Sequence, residues 1–157
     1  MDRSLWFNAR VLCCEADPQG SLWFKQRRAR VSWAPLQPAV QGPAGLRRID
    51  GDWADPDFPY RAVEGHEVLL LRWPTQPAPA EQVRWWVSAA MHLGESARRS
   101  RVRALGLGLS PDSPPLLATS AAFLAEYLGQ LELPVFVADR WENVPLRLEQ
   151  GLRALGA

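Results

Sequence analysis

The second half of the chain alternates short apolar runs with longer stretches of helical period. Val68-Leu69-Leu70-Leu71, inside residues 67–73, is a continuous apolar run of the kind found in a strand covered on both faces. Pro74, Pro77 and Pro79 end it. From about residue 80 to 98, Val83, Trp86, Val87, Ala90, Met91 and Gly94 recur at helical spacing and predict a buried stripe, with Trp85 beside it and partly exposed. Residues 101–109 read as a returning strand, with Leu105, Leu107 and Leu109 on one face and Gly106 and Gly108 on the other. That pairing predicts close approach of a helix or backbone on the glycine side.

A loop over 110–113 leads to a helix over 114–131, which should bury Leu117, Ala121, Leu124, Leu128 and Leu131, with Asp112 or Ser113 placed to cap it. A strand over 134–138, a polar corner at Asp139-Arg140-Trp141-Glu142 and a helix over 145–155, with Leu148, Leu152 and Leu155 inward, complete the pattern. Residues 67–157 therefore predict a βαβαβα core, a mostly parallel sheet with covering helices. In such a sheet ligands bind at the carboxyl ends of the strands.

The first half reads differently. Residues 5–15 and 22–33 are rich in Trp, Phe, Val and Cys and look extended, and Asp17-Pro18-Gln19-Gly20 between them suits a type I turn. The expectation is an N-terminal antiparallel β-hairpin over 1–33, its second strand at a charged sheet edge. Residues 34–66 form a loop-rich connection, first rich in Pro, Gly, Gln and Ala, then acidic. The fold class expected is α/β, a single domain over 1–157 with hairpin, connection and core.

Composition agrees with one folded unit: the 157 residues are 47% hydrophobic and 22% charged, with a formal net charge of +1. No apolar run approaches the roughly 20 residues of a membrane-spanning helix, and the first residues lack the apolar core of a secretory signal. A cytoplasmic protein is expected, from a bacterium of high GC content, since 17 of the 18 basic residues are arginine. The adjacent Cys13 and Cys14, in a strand, should point to opposite faces as buried free thiols.

Several chemistries are excluded by what is missing. Lys25 is the sole lysine and lacks the glycine-rich context of a phosphate loop or the setting of a Schiff base. His66 and His92 are too few for a multi-histidine zinc site. The run Asp50-Gly51-Asp52-Trp53-Ala54-Asp55 fails as a calcium loop because Ala54 stands at the third ligand position. Residues 92–100 have the spacing of the cysteine-phosphatase signature, but Leu93 occupies the place of its nucleophile.

Three candidate sites remain. The sheet edge should gather Arg72, Thr75, Ser110, Asp112, Ser113, Asp139, Arg140 and Glu142 as a ligand-binding group, though Pro111, Pro114 and Pro115 delete the backbone donors a phosphate would need. Within it Asp112, Asp139 and Glu142 could hold Mg²⁺ or Mn²⁺ for a metal-dependent hydrolase or phosphoesterase. The hairpin offers Lys25, Arg27, Arg28 and Arg30 among aromatics, a pattern suited to single-stranded nucleic acid. The leading expectation rests on the lack of paired catalytic groups and on eight tryptophans suited to contact surfaces. It is a non-catalytic interaction or regulatory domain, an accessory or adaptor without a cofactor. Its partner would be another protein or a second copy of itself, with no membrane and no nucleic acid.

Overall fold

Two apolar runs lie side by side at the centre of the sheet. β1 (Arg10–Cys14) pairs in parallel with β4 (Val68–Arg72), Val11 opposite Val68 and Cys14 opposite Leu71. The computed structural model describes residues 5–36 and 45–156. β2 (Arg30–Trp33) and β3 (Arg47–Arg48) extend the sheet beyond β1, and β5 (Ala104–Gly108) and β6 (Val135–Ala138) extend it beyond β4. Every pairing is parallel, in the order β3-β2-β1-β4-β5-β6. Strand order therefore reverses between β1 and β4, and a crevice opens there at the carboxyl ends.

Alternation along the strands divides the core between the two faces of the sheet. Leu12, Cys14, Leu69, Leu71, Leu105 and Leu107 face one core, with α2 (Phe58–Val63), α3 (Ala80–Arg99) and α4 (Pro115–Gly129) packed over it. Val11, Cys13, Val68, Leu70 and Ala104 face the other, under α1 (Gln19–Gln26) and α5 (Val144–Ala154). Cys13 and Cys14 are free, buried and on opposite faces, as a period of two requires. Burial pushes both thiols well above their ordinary pKa, which keeps them protonated and unreactive. The close approach expected at the β5 glycines is present: a Cβ on Gly106 would lie 2.7 Å from both Leu148 and Val144 of α5.

The predicted antiparallel hairpin is replaced by a β1–α1–β2 crossover. Residues 19–26, read as the end of a turn and the start of a strand over 22–33, are helical, with Gly20, Ser21 and Phe24 buried. Asp17-Pro18-Gln19-Gly20 is the entry to that helix, and the Leu22 N–H already donates to the Pro18 carbonyl at 2.9 Å. The aromatic content of Trp23-Phe24 favoured a strand by propensity, yet packing of those rings against Trp6 overrode it. Neither alternating face of 22–33 is cleanly apolar, which is what a helix looks like when read with a period of two. The segment after α1 turns through Arg28, at φ 64°, into β2.

Elsewhere the differences are smaller. The 34–66 connection contains β3 and α2, and part of it, residues 37–44, lies outside the described residues. The stripe of α3 is rotated so that Ala89, Leu93 and Ala97 are buried while Val87 and Met91 are only half-buried. Leu131 falls after the end of α4, and Leu155 is exposed beyond α5. Among the described residues, no helix is long and apolar enough to cross a membrane.

Candidate functional site

Parallel pairing brings the ends of all the strands to one edge. The Trp73 N–H donates to the Gly108 carbonyl and the Leu109 N–H to the Ala138 carbonyl, so Arg72, Ser110 and Asp139 leave the sheet along the same side, as expected. The eight predicted residues do not, however, form one site. Arg72 and Thr75 line a cavity of about 190 Å³ at the β1/β4 reversal, with Ala16, Asp17, Leu36 and Trp73. Asp139 and Arg140 line a separate, shallow hollow with Asn143 and Arg147. Asp112 is exposed and makes no cap; the Ser113 hydroxyl donates instead to the Ser110 carbonyl at 3.0 Å.

Arg72 is the best-placed member of the predicted set. Its guanidinium lies 3.6 Å from the centroid of the Trp141 ring, and its Nη1 is buried without a hydrogen-bond partner. Burial lowers its pKa, while Glu15, Asp17 and Glu142 pull it back up. An arginine on the wall of a cavity at a strand end offers a positive charge to a ligand anion. Trp73 walls the cavity and is itself anchored to α4, its indole N–H donating to the Ser120 hydroxyl at 3.1 Å and the Leu117 carbonyl at 3.2 Å.

Leu36 also lines a larger cavity, of about 530 Å³, that continues along the edge over β2 and β3. Its walls are Pro35, the loop from Arg48 to Ala54, and Gln82, Trp85 and Trp86 of α3. The Trp53 indole N–H donates to the Pro35 carbonyl at 3.0 Å and its ring packs edge-on against Phe58, 4.7 Å between centroids. The acidic loop that fails as a calcium site is thus one wall of this cavity. Asp52 accepts the Ala54 N–H at 2.9 Å, and Asp50 pairs with Arg48 at 2.6 Å. Gly51 is required, because the Phe58 ring occupies the space a Cβ would take.

The most unexpected group is Glu15, at the carboxyl end of β1. It is fully buried, and its carboxylate accepts the N–H of Gly20 at 3.0 Å, the N–H of Ser21 at 2.7 Å and the Ser21 hydroxyl at 2.8 Å. The Trp33 indole N–H donates to its carbonyl at 2.8 Å. Burial raises its pKa, opposed by the Ser21 and Gly20 donors and by Arg72. Sequence reasoning passed over Glu15 because α1 was read as a strand. A carboxylate between a strand and a Pro-x-Gly-Ser helix start was the available signal.

Two of the predicted groups are not assembled as expected. Among the described residues no three of His, Cys, Asp and Glu gather to hold a metal ion, the trio Asp112, Asp139 and Glu142 included. The basic hairpin does not exist as a nucleic-acid platform. Trp6, Phe24 and Trp33 are fully buried, and Arg27 of the Lys25, Arg27, Arg28, Arg30 set folds back over Trp23, 3.5 Å from the ring centroid, and onto its carbonyl.

No known family profile matches the sequence, and no curated protein is similar to it in sequence. Solved structures are similar in fold. The chain superposes on a UDP-glucose 4-epimerase from Thermus thermophilus in complex with NAD with a TM-score of 0.67 and 17% identity, covering 83% of this chain and 54% of that one. For a uronate dehydrogenase from Agrobacterium tumefaciens, a point mutant complexed with NAD, the TM-score is 0.63 and the identity 19%, over 81% and 58%. For the Bordetella bronchiseptica enzyme WbmG in complex with NAD the values are 0.69 and 16%, over 87% and 54%. The chain spans about half the length of these structures. The likeness is one of fold: a Rossmann-like α/β sheet with covering helices. It corrects the expectation of a non-catalytic adaptor without a cofactor, since the structures similar in fold include uronate dehydrogenases and a UDP-glucose 4-epimerase, several of the similar structures being solved with NAD.

Proposed function

We propose that the protein is an adenine-nucleotide-binding Rossmann domain, the counterpart of the cofactor-holding part of a dehydrogenase or epimerase. The observation that carries this reading is the cavity of about 530 Å³ on the carboxyl edge, walled by Trp53, Trp85 and Trp86 and sharing Leu36 as a wall with the cavity at the β1/β4 reversal. Its size suits an organic ligand of this class. Tryptophan faces stack on a planar base, the carboxylates of Asp50 and Asp52 accept hydrogen bonds from an exocyclic amine or a ribose hydroxyl, and Arg72 receives a phosphate. The crevice at the point where strand order reverses is where sheets of this topology hold nucleotides.

A complete NAD molecule does not fit the residues present. The adenosine half has a place in the aromatic cavity, but the diphosphate needs the N–H groups at the start of α1, and two of them, of Gly20 and Ser21, are taken by Glu15. The chain's own residues therefore bind and orient a base and a single anion. Arg72 and Asp17 set the charge of the inner cavity, Trp73 closes its floor, and Trp85, 49% exposed, forms the outer rim.

Titration of the protein with adenosine and with AMP, followed by tryptophan fluorescence, tests the reading. Saturable quenching by both, lost in Trp85→Ala, is the expected result. Absence of saturation by either ligand at millimolar concentration contradicts it.

A further inference from the structure

The turn between β1 and α1 carries its own anion. We propose that Glu15 occupies the place of a ligand's diphosphate, so that this crevice selects adenine ligands without one, a nucleoside or a monophosphate reaching Arg72, and rejects dinucleotides. The inference rests on the nucleotide-binding reading above and specifies its ligand class.

Three observations carry it. First, three donors of the helix start that a diphosphate would use are already engaged: the Gly20 N–H, the Ser21 N–H and the Ser21 hydroxyl all go to the Glu15 carboxylate at 2.7–3.0 Å. A carboxylate at a helix N-terminus satisfies the same orphan donors and the same dipole as a phosphate does. Second, there is no room for both. A Cβ on Gly20 would lie 3.0 and 3.1 Å from the two carboxylate oxygens and 3.3 Å from Leu70 Cδ1, and Glu15 itself is wholly buried. Pro18, immediately before the helix, contributes no N–H that could be offered instead.

Third, the surrounding charge opposes a further polyanion. Arg72 is the cation that interacts with Glu15, and it already faces Asp17 and Glu142 as well. Its Nη1 is buried without a hydrogen-bond partner, and Arg72 brings a single positive charge to the crevice. A monophosphate meets that single charge. A diphosphate would have to expel Glu15 from its three hydrogen bonds and bring more negative charge beside it.

The test uses the full chain and calorimetric titration with adenosine, AMP, ADP and NAD, on the wild type and on Glu15→Gly, with folding verified by circular dichroism. In the wild type, ADP and NAD are expected to bind no more tightly than adenosine. In Glu15→Gly their affinity should rise at least about tenfold while that of adenosine is unchanged. Wild-type binding of NAD about tenfold or more tighter than adenosine overturns the proposal, as does a folded variant that gains nothing for ADP or NAD.

Failure of adenosine to bind either protein sinks the nucleotide reading alone. Inorganic pyrophosphate then decides on Glu15: binding to the variant and not to the wild type upholds the substitution of carboxylate for diphosphate, and binding to neither overturns it. Should Glu15→Gly not fold, Glu15→Ala takes its place, and the wild-type comparison of NAD with adenosine stands by itself.

Discussion

Ser21 gives two hydrogen bonds to one oxygen of Glu15, from its backbone N–H at 2.7 Å and from its hydroxyl at 2.8 Å. The pair closes the β1–α1 turn from inside, in a part of the molecule where both residues are fully buried. It makes the start of α1 self-sufficient, since the helix has no other side-chain cap.

The pair has a pH signature. Burial raises the folded-state pKa of Glu15 above its ordinary value of 4.5. The folded chain therefore keeps this proton to higher pH than the unfolded chain does. The resulting stability is fully present below the unfolded value and is lost as pH rises through the folded one. Urea midpoints of the wild type, taken relative to Glu15→Gln, should fall as pH climbs upward from 4.5. Parallel profiles for the two proteins would show that Glu15 does not titrate as its burial requires.

Packing of α5 on β5 depends on the absence of side chains at Gly106 and Gly108. A Cβ at Gly106 would meet Leu148 and Val144 at 2.7 Å, both buried in the second core. Gly106→Ala should cost about 1–3 kcal/mol in chemical denaturation, as overpacking of a dense core does. A neutral substitution would mean that α5 lies farther from the sheet.

Two tryptophans separate binding from stability. Trp85 is 49% exposed and forms the rim of the aromatic cavity, so Trp85→Ala should leave stability within about 0.5 kcal/mol while removing most adenosine affinity. Trp33 is fully buried and donates to the Glu15 carbonyl, so Trp33→Phe should cost about 1–3 kcal/mol by orphaning that acceptor. Denaturation and fluorescence titration of the two variants read both effects. The opposite assignment of effects would move the ligand away from α3.

Arg72 should discriminate by charge. Arg72→Gln is expected to weaken AMP by about tenfold and to leave adenosine unchanged, because the positive charge of Arg72 on the cavity wall acts on the phosphate alone. Equal losses for both ligands would make Arg72 a structural support of Trp141 instead.

Much of the second half of the fold was legible because its segments obey one period each. Val68–Leu71 has the continuous apolar run typical of a doubly covered strand, and Gly106 and Gly108 pointed to close approach of a helix or backbone on their side. The first half was misread where two signals conflicted. Trp23 and Phe24 carry strand propensity, but they sit on a short helix held by Trp6, a residue separated from them in sequence. With α1 taken as a strand, no crossover joined β1 to β2, and the reversal point of the sheet fell outside view. Arg72 was singled out because it ends a strand that the apolar run marks. Glu15 and the Trp53 cavity were missed because each is assembled by contacts, across the β1–α1 turn and between the acidic loop and α3, that no local spacing encodes.

The most direct measurement is a ¹⁵N-resolved NMR titration of the wild type with AMP. Binding at the carboxyl edge predicts shifts of the Trp53 and Trp85 indole N–H signals and of the Arg72 side chain, with the Gly20 and Ser21 amides unmoved, since Glu15 keeps them. Large shifts at Gly20 and Ser21, or none at either tryptophan, would contradict it.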